Sequence, residues 1–303
     1  MTAAHSSLTS RASSTPTMAD QLTDAEFIRL RDYFYRRTGI QFPDNKRYFV
    51  DKRVIGRIRA FGPRAGFDEW FSAVRHGTDS GLVQELINEL TVNETYFLRE
   101  DYQFDSLVGS VLPAVMAQRK AERITGPVRI MSLPTSTGEE PYSIAIRLMD
   151  DWPDIETVDV EIAGGDIDTR ALERARQGVY GARSLQRVSR KQLSAYFRPA
   201  GEDRYQVIDD LREAISFDVI NVTDPEVMRR FRSFDVIFCR NLLIYFDELS
   251  MRQAAENIFG ALRPGGFLFL GHSESMSRIS PIFEPVRFPE GLVYQRPSLG
   301  ARR

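Results

Sequence analysis

Residues 128–146, VRIMSLPTSTGEEPYSIAI, restrict the fold of this chain more than any other stretch. A short apolar run, then small and polar residues, then an amphipathic run is the pattern of a strand, a tight turn and a helix start. The turn consists of small and hydroxyl residues, so a ligand can approach the backbone at a helix N-terminus. Two carboxylates, Glu139 and Glu140, follow in the first helical turn, where the helix dipole favours negative charge. They would repel a phosphate. The segment therefore reads against a nucleotide-phosphate loop and for a ligand with no phosphate and a positive charge. S-adenosylmethionine, a sulfonium with ribose hydroxyls and an amino-acid tail, has that chemistry. A capped helix after a strand satisfies the same spacing.

After Thr125 the pattern alternates between strands and helices. Strands are expected at residues 128–132, 160–164, 235–239 and 267–271, with Pro264-Gly265-Gly266 turning into the last. Such alternation implies a parallel sheet covered on both faces. From Thr23 to about Leu90 the periodicity is helical, opened by a capping box at Thr23-Asp24-Ala25-Glu26 and punctuated by Gly39, Pro43, Gly62, Pro63 and Gly77. Between Gly181 and Asn221 the alternation breaks, and residues 204–208 and 215–219 read as short strands with little to cover both faces. The expected organisation is a disordered tail at 1–17, a helical N-terminal domain at 18–91 and an α/β domain at 92–303, with a small β insert at 181–220. The tail has no hydrophobic segment and is not a signal peptide. Met18 is either the true start or the end of an appended leader.

A formal net charge of −2 over 303 residues gives no global field towards nucleic acid or anionic lipid. The single cysteine, Cys239, excludes a disulfide framework and suits a reducing cytoplasm. No apolar run approaches the roughly 20 residues that cross a bilayer. Histidine is scarce: His5 is in the tail, His76 is near a loop, and only His272 falls in a motif.

Four more motifs occur in order around STGEEPYS: NETYFLRE at 93–100 before it, then GDIDT at 165–169, DVIFCRNLLIYFD at 235–247 and GHSESM at 271–276. With these the chain resembles the chemotaxis-receptor methyltransferases, the CheR-type protein-glutamate O-methyltransferases, from about Leu22 to Arg296. CRNLLIYFD together with STGEEPYS is the specific pair. The chain departs from the pattern at Leu98, where a second Phe is common, at Leu133-Pro134, where small residues are the norm, and at Gly165. Pro134 bears on how a cofactor tail is seated. The resemblance implies a Rossmann-like α/β methyltransferase sheet with a small antiparallel insert, preceded by an all-α domain. It also implies S-adenosylmethionine as methyl donor, S-adenosylhomocysteine as product and no metal. The implied partners are the cytoplasmic helical domains of methyl-accepting chemoreceptors, met by a cytoplasmic monomer without membrane insertion or nucleic acid.

Making a carboxyl methyl ester from a sulfonium is an in-line displacement. A glutamate carboxylate, with a reference pKa near ~4.3, is already ionised at neutral pH, so no general base is required. That agrees with the shortage of histidine. Alignment supplies up to about 7–11 kcal/mol in favourable cases. Arg99 follows Asn93 and Thr95 at a domain junction and offers a two-pronged guanidinium to a carboxylate. Pairing with Glu100 or Asp101 at the surface is the alternative. Asp166 lies at a strand end, where an acidic residue meets ribose hydroxyls in dinucleotide folds, and Asp168 reads as a helix cap. Arg240 and Asn241 leave the carboxyl end of an apolar strand. Tyr245 in LLIYF reads as core packing on its own, and the resemblance reverses this. It assigns Arg99 and Tyr245 to orienting the substrate carboxylate. It assigns Asn93, Thr95, Arg99, Glu140, Asp166, Asn221, Val222, Arg240 and Asn241 to the cofactor pocket, with Glu139 less certain. His272, Ser273 and Glu274 are expected to line the pocket, with no role assigned.

Residues 29–75 hold twelve Lys/Arg against five Asp/Glu. Helical projection of 45–60 places Lys46, Arg53 and Arg57 beside the stripe Val50, Val54 and Ile58. A solvated face is the ordinary reading of such a run, and docking on an acidic receptor helix fits equally. Nucleic acid is a third option, but the aromatic interleaving is missing. The connection at residues 198–205 is short beside family versions whose insert grips a tethering receptor peptide, so recognition is expected to rest on the basic face. A methyltransferase for small molecules or nucleic acid, and a cofactor-binding module without turnover, remain as alternatives.

Overall fold

The computed structural model describes residues 21–77 and 81–298, and the expected tail at 1–17 lies outside them. The strand of the opening motif, β1 (Val128–Ser132), pairs in parallel with β2 (Val160–Asp166) on one side and β7 (Phe234–Cys239) on the other. Strand β8 (Leu262–Leu270) extends the parallel ladder from β7. These are the four expected strands, and they are neighbours in the sheet. Alternate residues of one strand enter opposite cores, as a pleat requires: Ile130, Val236 and Phe238 join one apolar cluster, while Met131, Ile237 and Cys239 join the other. The first cluster is covered by α5 (Tyr102–Ser106), α6 (Leu112–Glu122) and α7 (Glu139–Asp151), and the second by the helix Glu248–Ala261.

Two strand assignments differ from expectation. Residues 215–219 form β6 (Ile215–Val219), which is the edge of the main sheet in parallel register with β2, and are not part of the insert. An edge strand is covered incompletely, and here only Ile215 is buried, so its pattern looks like that of a small subdomain. At the other edge, β9 (Glu284–Phe288) and β10 (Gly291–Gln295) add antiparallel, giving the order β6-β2-β1-β7-β8-β10-β9 and a mixed sheet. The insert proper is a separate three-stranded antiparallel sheet of β3 (Val179–Gly181), β4 (Phe197–Pro199) and β5 (Arg204–Val207).

The N-terminal domain packs α1 (Asp24–Thr38), α2 (Arg47–Phe61), α3 (Phe67–His76) and α4 (Gly81–Leu90) around Leu30, Phe34, Val54, Trp70, Phe71 and Leu86. Both bonds of the Thr23/Glu26 capping box form. Helix α1 stops at Gly39, whose φ of +74° is left-handed, and a Cβ there would stand 2.7 Å from Thr223 Cγ2. Glycine is required for the turn and for the close approach alike.

That approach matters because three loops leaving carboxyl ends of parallel strands are hydrogen-bonded to the helical domain. After β2, the Ile167 carbonyl accepts from Gln84 Nε2 at 2.8 Å and Thr169 Oγ1 accepts from Asn88 Nδ2 at 2.9 Å. After β6, Asn221 Nδ2 donates to the Arg37 carbonyl at 2.9 Å. After β7, the Gln41 N–H donates to the Tyr245 carbonyl at 3.0 Å, and Tyr35 donates its hydroxyl proton to Asp247 at 2.8 Å. Ligands of open α/β sheets bind at this end of the strands. At the opposite end, fully buried Asp235 accepts from Arg119 at 3.0 Å, from the Arg129 N–H at 2.9 Å and from Arg263. No helix among the described residues is long and apolar enough to cross a membrane.

Candidate active site

Two adjoining cavities run along the carboxyl ends of β1, β2 and β7. The larger, about 440 Å³, is lined on the sheet side by Leu133, Asp166, Ile167, Asn221 and Val222. Its other wall is Thr38, Phe42, Lys46 and Phe49 from the helical domain. The smaller, about 240 Å³, is lined by Thr95, Arg99, Glu140 and Arg240. Ser136, Asn241, Ile244 and Tyr245 belong to both. The two cavities thus gather all nine residues expected around a cofactor, together with Tyr245.

In the smaller cavity, Arg240 is a cation with its side chain only 2% exposed, placed between two carboxylates. It donates to Glu140 at 2.9 Å and to the Arg99 carbonyl at 2.6 Å, and lies 3.4 Å from Glu100. Its Nε has no partner. Glu140 also accepts from Ser132 at 2.8 Å. Burial pushes the Glu140 carboxyl up despite these two donors. Glu100 is held below the ordinary range, because Arg240 and His272, whose Nδ1 is 2.9 Å away, outweigh its burial. Arg99 makes no ion pair among the described residues; Asp101 pairs instead with Arg187 and Glu100 with Arg240. One Arg99 nitrogen donates to the Glu94 carbonyl at 2.9 Å. Burial pushes the Tyr245 hydroxyl up against the pull of Arg99, so it stays protonated, a neutral donor beside a free guanidinium.

In the larger cavity, buried Asp166 accepts from the Ser136 N–H at 2.7 Å and the Asp168 N–H at 2.9 Å, yet burial pushes it up to about 6. Asp168 caps α8 (Thr169–Gln177), the role expected of it, and accepts from Asn93 Nδ2 at 2.6 Å. Asn93 also accepts from Ser136 Oγ at 3.2 Å. The amides of Asn93 and Asn221 are therefore engaged with protein groups, and what they give the cavity is shape. Glu139 turns away towards the insert, where it accepts from Thr137 and Ser184. The Leu133–Pro134 peptide is cis, and both residues line the larger cavity.

The basic residues do not form one surface. Helical projection misplaces Lys46, which lies in the 3-10 turn Asp44–Lys46 before α2 and faces the larger cavity. Arg53 and Arg57 border a separate open depression of about 460 Å³ with Lys52 and Glu89. There Arg53 stacks 3.7 Å over Phe49 and Arg57 pairs with Glu85. Phe42, Phe49, Ser136 and Glu100 are site-building residues that sequence reading missed, and Ser136 and Glu100 carried a signal, as members of motifs. His272, Ser273 and Glu274, placed at the pocket by the sequence, line neither cavity.

The donor set fits a sulfonium nucleoside with an amino-acid tail. Carboxylates at Glu140 and Asp166 suit an ammonium and ribose hydroxyls, unpaired Arg99 suits a carboxylate, and Phe42, Val222 and Leu133 offer apolar walls for a base. No group of side chains that could hold a metal ion occurs among the described residues.

The family profile described as CheR methyltransferase, SAM binding domain matches residues 93–292, and that described as CheR methyltransferase, all-alpha domain, matches residues 25–91. Chemotaxis protein methyltransferase 2 of Vibrio cholerae is 47% identical over 279 residues, 92% of this chain and 95% of the relative. The chemotaxis protein methyltransferase of Escherichia coli is 35% identical, covering 86% and 88%. Chemotaxis protein methyltransferase 2 of Pseudomonas aeruginosa is 35% identical, covering 87% and 91%. The chain belongs to the CheR methyltransferase family, with an S-adenosylmethionine-binding α/β domain preceded by an all-α domain.

Proposed function

We propose that the protein methylates glutamate side chains on the cytoplasmic helical domains of chemoreceptors, acting as a monomer in adaptation of a chemosensory response. The observation that carries this reading is Arg99, without a counter-charge among the described residues, in the smaller cavity together with the neutral Tyr245 hydroxyl, which also lines the larger one. A carboxylate entering there finds one cation and one hydrogen-bond donor, and nothing that must first remove a proton. Bound S-adenosylmethionine supplies an electrophilic methyl group on a sulfonium. Arg99 and Tyr245 orient the incoming carboxylate, Glu140 and Asp166 hold the nucleoside and its tail, and Arg240 fixes Glu140. The reaction cancels charge, so closure of the site by the bound receptor and cofactor against water would favour it.

Docking of the receptor is assigned to the depression around Arg53 and Arg57. The four-residue loop 200–203 between β4 and β5 supports recognition without a tethering peptide, so an isolated receptor C-terminal pentapeptide should bind no better than a scrambled one. Incubation with methyl-labelled cofactor and receptor-containing membranes tests the function. Base-labile label on receptor protein is the expected result. Label confined to small metabolites or nucleic acid, or cofactor binding with no turnover on any receptor, would replace the reading.

A further inference from the structure

We infer that Glu274 is a positioning residue for methyl transfer, because its carboxylate sets the turn that presents Asn241 and Tyr245 to the cavities. This rests on the reading of those two residues as part of the site. Glu274 lines neither cavity. Its Oε2 accepts the N–H groups of Gly271 and Asn241, each at 2.8 Å, and its Oε1 accepts that of Leu243 at 2.8 Å. One carboxylate thus ties the end of β8 to the first residues beyond β7, with charge-assisted bonds to three main-chain donors.

Two features show that this turn needs a clamp. Asn241 sits at φ +57°, a left-handed conformation that asparagine adopts more readily than other side-chain-bearing residues but that still competes with the extended and right-handed regions. A Cβ on Gly271 would stand 2.8 Å from Asn241 Nδ2 and 2.9 Å from Glu274 Oε2, so the two strand ends meet with no room to spare. Leu243 opens the 3-10 turn Leu243–Tyr245, and the carbonyl of Tyr245 is held from the other side by the Gln41 N–H. Between these fixed points the Tyr245 ring has a set origin. Release of the Glu274 end frees Asn241 to leave the left-handed region and moves Tyr245 relative to Arg99.

The test is Glu274→Gln, nearly the same shape, with one acceptor oxygen replaced by a donor that faces an N–H. S-adenosylhomocysteine affinity and stoichiometry are measured by calorimetry, kcat and KM with receptor membranes, and Tm by circular dichroism. Expected are a kcat per cofactor-binding equivalent down by about tenfold or more and a cofactor Kd raised about fivefold, with receptor KM within about twofold. Glu274→Asp, which keeps the charge but not the reach, should be similarly impaired. A purely structural role would lower Tm and the binding-competent fraction while leaving kcat and Kd per competent molecule unchanged, and that result overturns the inference. Asn241→Ala is run alongside. Weakened cofactor affinity there with none in Glu274→Gln removes this inference and leaves the site; no change in either removes both.

Discussion

Arg99 and Asp166 use charge in opposite ways. Arg99 is a cation with no counter-charge among the described residues and a single bond to a main-chain carbonyl, so its truncation should leave the fold alone: Arg99→Ala is expected to lower kcat/KM by more than about a hundredfold with Tm unchanged, and Arg99→Lys should recover little, since an ammonium lacks the two-pronged geometry. Steady-state kinetics beside a melting curve checks both. Asp166 is an anion kept partly out of water, its pKa raised from 3.8 to about 6. A raised carboxyl pKa means that protonation relieves a buried charge, so this group's contribution to stability is fully present below pH 3.8 and is lost as pH rises through about 6. Cofactor affinity should run the other way, because ribose hydroxyls donate to the ionised form. S-adenosylhomocysteine Kd is expected to weaken as pH falls through about 6, and Asp166→Asn should bind weakly with that dependence removed. Asp166 and Arg240 were legible in the sequence because strand ends are where α/β sheets put such groups. Glu100 was not, since its approach to Arg240 follows from left-handed turns at Leu98 and Glu100, both at φ 57°, which no spacing rule announces.

Among the elements, β7 shows why the centre of the sheet was easy to read and its edges were not. All six of its residues are buried, and after Asp235 the run Val236–Cys239 is wholly apolar and closed by the polar pair Arg240-Asn241. The edge strands β6 and β9 are covered on fewer sides and carry charges, and β6 takes its place from register with β2, about fifty positions earlier in the chain. The charged start of β7 anchors it: Asp235→Ala would leave Arg119 and Arg263 buried without their counter-charge, a change that costs about 3–5 kcal/mol in comparable buried pairs. Denaturant titration should show that loss, while cofactor affinity per folded molecule stays near wild type, because Asp235 and Asn241 lie at opposite ends of the strand.

At the scale of the whole molecule, the helical domain both walls the larger cavity and carries the basic depression. Reversing Arg53 and Arg57 to Glu is expected to reduce receptor methylation at least about tenfold at low salt, with a wild-type rate falling towards the variant's as ionic strength screens exposed charge. Cofactor affinity of the free variant should be unchanged, since neither residue lines the cavity. Composition announced the depression but not the wall, because nothing in residues 38–49 marks contact with loops more than a hundred positions away.

Phe49 belongs to both places at once: one face of its ring closes the cofactor cavity and Arg53 rests 3.7 Å above it. Whatever fills the cavity therefore supports the surface proposed to receive a receptor helix, and a helix bound there would in turn steady the wall. Two ligands that share a support in this way must help each other by an equal factor. Cofactor should tighten receptor binding, receptor should tighten cofactor binding to the same degree, and Phe49→Ala should uncouple them. Paired titrations, each ligand measured with and without saturating amounts of the other, should show the same factor in both directions in the wild type and a factor near one in Phe49→Ala.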